Sequence, residues 1–233
     1  MELLTYGSVN NKFAIVSSDS PRPAEPPTTS RRRRKEQRPG EIIEAAVQEF
    51  AQRGFAATRL EDVAERAGVT KGTIYFYFKD KEELFKAAAR SSLHPALSEI
   101  ESLSAGFEGS AEDFLRLHLN TAYSKLARNP RAAQIIRLLI SEGPQFPELV
   151  QFYYNEIISY GLRILRGVIE RGVAQREFRR TRAADFPQIV FAPVLAATLW
   201  TLMFAESHPV DLDAYARTHL DLLINGLKAQ KAK

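Results

Sequence analysis

Cysteine is absent from these 233 residues, and methionine and tryptophan are scarce, at two and one. With no thiol there can be no disulfide framework, no cysteine nucleophile and no thiolate ligand for zinc. The compartment this suggests is the cytoplasm. Histidine is sparse too: His94, His118, His208 and His219 are scattered, and no pair has the His-Glu-x-x-His spacing of a helical zinc site. No phosphate-cradling glycine loop and no serine-nucleophile motif is present, so no catalytic residue, cofactor or metal is expected. The chain starts Met1-Glu2-Leu3-Leu4 without the basic run and apolar stretch of a secretory signal. Strand-period alternation of useful length is also missing, which predicts an all-α fold.

What is present is a sequence 45% apolar and 26% charged, long enough to bury a substantial core as one or two domains. The net charge is +4, and its location says more than its size. Residues 31–38, Arg31-Arg32-Arg33-Arg34-Lys35-Glu36-Gln37-Arg38, hold six bases and one acid, net +5, so the remainder is neutral to within one charge. Such a run is either a solvated tail or a cationic arm for phosphates and a minor groove. Residues 17–30 are rich in proline and hydroxyl side chains, and residues 1–37 are expected to be a largely disordered basic arm.

Ordered chain is expected from Pro39, where Ile43, Ala46, Val47 and Phe50 form one apolar stripe. Gly54 supplies a left-handed position that ends this helix. Thr58-Arg59-Leu60-Glu61 reads as a capping box, with Thr58 as cap and Glu61 reaching back, so Glu61→Ala is expected to weaken the helix more than it alters DNA preference. Only Gly68-Val69 then separates that helix from the next, which Thr70 caps. Asp80-Lys81-Glu82-Glu83 is a second capping box and opens a fourth helix, which Pro95 should bend or break. Two short helices joined so tightly must cross, as in a helix-turn-helix that offers its second helix to a DNA major groove.

Gly54-Phe55, Thr58, Asp62-Val63-Ala64, Ala67-Gly68-Val69, Lys71 to Phe78 and Lys81-Glu82-Glu83-Leu84-Phe85 together resemble the N-terminal domain of tetracycline-repressor-like (TetR) transcriptional regulators over residues 39–86. The resemblance implies a helix-turn-helix head over residues 38–90 and a helical effector-binding and dimerisation domain over residues 91–233. It also implies a cytoplasmic homodimer on palindromic double-stranded DNA, with an unknown small-molecule effector. Carried over by position, Thr58, Arg59, Tyr77 and Lys81 would meet phosphates, Thr70 and Thr73 would stand beside the duplex, and Lys71 and Gly72 would open the recognition helix. Tyr75 and Phe76 would face the groove wall or a thymine methyl. Arg31, Arg32, Arg33 and Arg34 complete the expected DNA contacts. Ile74 and Phe78 are expected in the core.

Further helices are expected near residues 111–127, 131–142, 147–175, 184–205 and 211–229. Residues 189–205 carry no charge. At 17 residues this run is at the short limit for a membrane span, about 17 to 25, and it contains Pro193, so a buried helix is expected and no membrane partner. With the last helix it offers Val190, Val194, Ala197, Trp200, Tyr215, Leu220, Leu223 and Leu227 as a dimer interface. Phe114, His118, Thr121, Tyr153, Ile157 and Tyr160 are the effector candidates, suited to an aromatic or acyl compound, although the same pattern also fits plain core. A repressor released by a largely apolar effector leads. An effector-independent regulator acting through a protein partner, and an α-helical enzyme, remain as alternatives.

Overall fold

The structure, a computed structural model, describes the backbone of residues 29–104 and 106–229. Contacts divide the chain into two units, Met1–Gln37 and Arg38–Lys233. Residues 1–28 and the side chains of Arg31, Arg32, Arg33 and Arg34 lie outside what is described, and so does most of the expected arm. Ten α-helices follow in order among the described residues, and an isolated antiparallel bridge between Phe178 and Lys228 is the one β-type pairing there.

Helix α1 spans Thr29–Ala57, starting ten residues before the expected Pro39, which lies inside it. The basic run is made of good helix formers, and the fixed φ of proline suits a helix even though its missing N–H leaves one bond unmade. At Gly54 the backbone turns to φ 80°, ψ 170°, the break foreseen there. Helix α2 (Leu60–Arg66) and α3 (Lys71–Tyr77) are one turn apart, with Gly68 at φ 63° between them. Val69 donates its N–H back to the Ala64 carbonyl at 3.0 Å and closes that turn. Helix α4 (Lys81–Ser104) runs through Pro95 without ending, so of the bend or break expected there the break does not occur. Ser91, whose carbonyl loses its partner there, lies on the exposed face where water can replace it.

Helices α5 (Ala111–Ala122), α6 (Pro130–Glu142), α7 (Pro147–Tyr153), α8 (Ser159–Ala174), α9 (Gln188–Phe204) and α10 (Leu212–Leu227) complete the chain. Two π-turns extend the helices: Tyr123–Ala127 continues α5, and Tyr154–Ile158 joins α7 to α8. One apolar core holds Phe50, Phe55 and Phe85 with ring centroids 5.5 to 5.7 Å apart. It continues without a break into Ile135, Leu138 and Leu149 of α6 and α7. The expected division between residues 90 and 91 therefore falls within α4. A second core gathers α5, α8, α9 and α10.

Candidate nucleic-acid interface and effector cavity

The turn into α3 is held as its sequence predicts. The Thr70 hydroxyl accepts from the Thr73 amide at 3.2 Å and lies 2.9 Å from the Thr73 hydroxyl. Ile74 and Phe78 are buried, as expected, and this orients the rest of the helix outward. Lys71 and Gly72 are exposed, Tyr75 is 50% and Phe76 71% exposed, and Tyr77 is half-buried with its ring edge-on to Phe76 at 4.9 Å. The helix thus turns two aromatics, a lysine and two hydroxyls outward, with the Lys71 ammonium over the Tyr75 ring at 5.6 Å, side chains of the kinds that contact base edges and thymine methyls in a major groove. Arg59 is exposed at the start of α2, on the same reading head.

Three expectations around this surface are corrected. Thr58 is 1% exposed, and its hydroxyl donates to the Gly54 carbonyl at 2.6 Å and the Glu49 carbonyl at 3.2 Å, closing the end of α1. The cap of α2 is therefore Arg59, whose amide donates to the Asp62 carboxylate at 3.3 Å, one residue later than the sequence pattern suggested. Lys81 is not directed at a phosphate: its ammonium donates to the carbonyls of Phe55, Ala56 and Thr58 at 2.7, 3.0 and 3.0 Å, above the Phe55 ring. Burial lowers its pKa, against the pull of Glu142. Glu61, read as a cap, pairs instead with Lys71 across the turn, and that hydrogen bond holds its carboxyl below the ordinary range.

The same end of α1 is gripped from α6. Glu142 accepts from the amides of Phe55 and Ala56 at 2.9 and 2.7 Å. Lys81 thus takes the carbonyls, and Glu142 the amides, of one irregular turn. Neither role is readable from sequence, because Glu142 lies 87 residues from Phe55 and Lys81 lies 26 from it.

The other face of α6 lines a cavity of about 440 Å³, walled by α4, α5, α6, α7, α8 and α9. His118, Tyr153 and Ile157 of the expected effector set line it. Phe114, Thr121 and Tyr160 do not. Phe114 packs on Phe107 at 4.9 Å, Thr121 is buried elsewhere, and Tyr160 bonds Glu101 outside. The π-turn at Tyr154–Ile158 explains the Tyr160 error: its wider turn takes one extra residue, so the inward stripe slips from position 160 to Gly161 and Leu165. His118 is 3% exposed, its Nδ1 has no hydrogen-bond partner, and burial lowers its pKa to about 4. Burial likewise raises the Tyr153 hydroxyl to about 12, so both side chains are neutral near pH 7.

The expected dimer residues are mostly turned inward. Val190, Val194, Ala197, Leu220 and Leu227 belong to the second core at 4% exposure or less, and Tyr215 and Leu223 pack partly buried against it. Only Trp200 of that set stands outside, 47% exposed. A helix apolar all round carries two equivalent stripes, and the sequence does not say which one faces home. The outward stripe is Ile189, Trp200 and Met203, with Ile189 and Met203 each 67% exposed, and α10 adds Leu222 at 69%. Among the described residues no helix is long and apolar enough to cross a membrane, and no cluster of three metal-ligating side chains occurs.

Two family models match this chain: bacterial regulatory proteins of the tetR family over residues 42–88, and the AefR-like transcriptional repressor C-terminal domain over residues 117–221. The fatty acid metabolism regulator protein of Bacillus subtilis (strain 168) is 29% identical over 199 residues, 83% of this chain and 98% of that protein. The transcriptional repressor KstR2 of Rhodococcus jostii (strain RHA1) is 25% identical, over 87% of this chain and 97% of its own. Among solved structures, the transcriptional regulator FadR of Bacillus subtilis in complex with stearoyl-CoA superimposes with a TM-score of 0.68 at 28% identity, covering 80% of this chain and 98% of that one. With a reading head that projects Lys71, Tyr75 and Phe76, and with family models matched on both sides of α4, the chain belongs to the tetR family of bacterial regulatory proteins and is a DNA-binding transcriptional regulator.

Proposed function

We propose that this regulator is a homodimeric repressor that binds a palindromic operator in double-stranded DNA and leaves it when a small, largely apolar effector enters the cavity beside α6. The observation that carries the proposal is the outward face of α3. Lys71, Tyr75 and Phe76 are exposed there, while Ile74 behind them is fully buried and fixes their direction. Lys71 reads a guanine edge once Glu61 gives way, Tyr75 and Phe76 meet the groove wall, and Thr70, Gly72, Thr73, Tyr77 and Arg59 set the head on the backbone. Arg31, Arg32, Arg33 and Arg34 add a salt-sensitive term that does not depend on sequence.

Residues 38–90 act as the reading head and residues 91–233 as the sensing and dimerising part. The partner subunit covers Ile189, Trp200 and Met203 of α9 with Leu222 of α10, large apolar side chains that are each 47% exposed or more. The similarity to a regulator solved with stearoyl-CoA supports an apolar effector. No catalytic role is assigned. Sequencing genomic fragments retained by the purified protein should give an inverted repeat with half-sites about 10 base pairs apart, or a multiple of that spacing. Fragments enriched without any repeat, or no enrichment, would count against the reading.

A further inference from the structure

The cavity beside α6 contains its own statement about what it holds. Among its lining residues none is charged, and four have polar side chains: His118, Tyr153, Gln188 and Thr198. Thr198 is committed, since its hydroxyl donates to the Val194 carbonyl at 2.8 Å, and Gln188 is exposed at the rim. His118 is buried in the wall with an unpartnered Nδ1. A buried polar atom in that condition marks a partner still to come, because leaving it unpaired costs as much as losing a hydrogen bond. Both π-turns also belong to these walls, contributing Leu126 from one and Ile157 and Ile158 from the other. Such turns recur at functional sites, and here they bow two walls of the same cavity.

An anionic group at this depth would lose its hydration with no cation to replace it. Its other recourse is to make His118 accept a proton, which at pH 7 opposes a pKa of about 4 and so costs about a thousandfold before any gain from pairing. A hydroxyl or carbonyl oxygen has no such cost, because a neutral imidazole has one donor and one acceptor to give. Resting on the effector reading above, we propose that the cavity selects an uncharged, elongated apolar molecule with a single hydroxyl or carbonyl oxygen, which enters oxygen first and bonds to His118. The neutral Tyr153 hydroxyl, which lines the cavity from α7, is a second contact for that oxygen.

The test is calorimetric titration of the full chain with 1-decanol and with decanoate at pH 6, 7 and 8. Decanol should bind with an affinity independent of pH. Decanoate should bind at least about tenfold more weakly at pH 8 and gain up to about tenfold per unit of acidification, because it enters with a proton. In a His118→Phe variant that melts at the wild-type temperature, decanol affinity should fall about tenfold, the loss of one hydrogen bond. Decanoate binding as tightly as decanol at pH 8, or a folded His118→Phe variant that binds decanol unchanged, would overturn the assignment. Absence of binding by both probes would overturn it together with the cavity reading. Decanol binding as described that leaves a protein–DNA complex intact would uphold the ligand class and refute the effector role alone.

Discussion

At the scale of single residues, Lys71 is shared between two partners, since its ammonium rests on Glu61 in the free protein and would have to leave it to reach a base. Glu61→Gln should therefore raise affinity for every duplex while leaving the melting temperature unchanged, because the pair is exposed. Unchanged affinity with a lower melting temperature would restore the capping role. Lys81 is predicted to act oppositely. Lys81→Met keeps the apolar stem but removes the donors of three carbonyls, two of them part-buried, and should cost about 1–3 kcal/mol in urea unfolding while leaving the salt slope of DNA binding untouched. A slope shallower by about one, without loss of stability, would return Lys81 to the phosphate contacts.

His118 gives a pH signature in the same experiment. The unfolded chain takes up its proton near pH 6.5 and the folded chain only near 4, so between those values unfolding binds protons. From His118 alone, stability should fall as pH drops from about 6.5 toward 4, by about 2 kcal/mol at pH 5, and His118→Phe should remove that share while leaving the smaller one owed to His219, whose pKa burial also lowers. The surface lysine and aromatics were legible in sequence because residue type and helical phase settle them. Lys81 and Thr58 were not, because a lysine or threonine at a helix end serves a phosphate or a carbonyl equally well until the neighbouring chain is in place.

Elements show where pattern reading succeeds and where it slips. Helix existence and order follow from periodicity and caps: Thr70, Asp80, Ser110, Asn129 and Asp211 each accept an amide at the start of a helix. The π-turns leave no such mark, and the one at Tyr154–Ile158 rotates the stripe that follows it, which is why Gly161 and Leu165 line the cavity in place of Tyr160. The junction between α1 and α6 is equally silent in sequence, yet it leaves little room. A Cβ at Gly54 would lie 2.2 Å from the Glu142 carboxylate, in a backbone region that L-residues avoid. Gly54→Ala should destabilise the protein by about 2 kcal/mol or more, from strain and the displaced Glu142 together. Wild-type stability in that variant would mean that the clamp on Phe55 and Ala56 contributes nothing.

For the whole molecule, the all-α class and the reading head were visible from caps, turn lengths and the absence of strand patterning. The face of α9 that we propose meets a partner subunit was not, since both of its stripes are apolar. The two faces make opposite predictions. Ile189→Glu with Met203→Glu should yield a folded monomer in sedimentation, whereas Val194→Glu, which places a charge in the second core, should not fold. A doubly substituted protein that sediments as a dimer would move the interface elsewhere. The central claim is that α3 reads DNA, and the direct measurement is anisotropy titration of one enriched operator and one random duplex with the full chain and its Lys71→Ala, Tyr75→Ala, Phe76→Ala variant. The wild type should prefer the operator by about a thousandfold or more, and the variant should stay folded and lose most of that margin while still binding random DNA in low salt. A folded variant that keeps the wild-type preference would contradict the account.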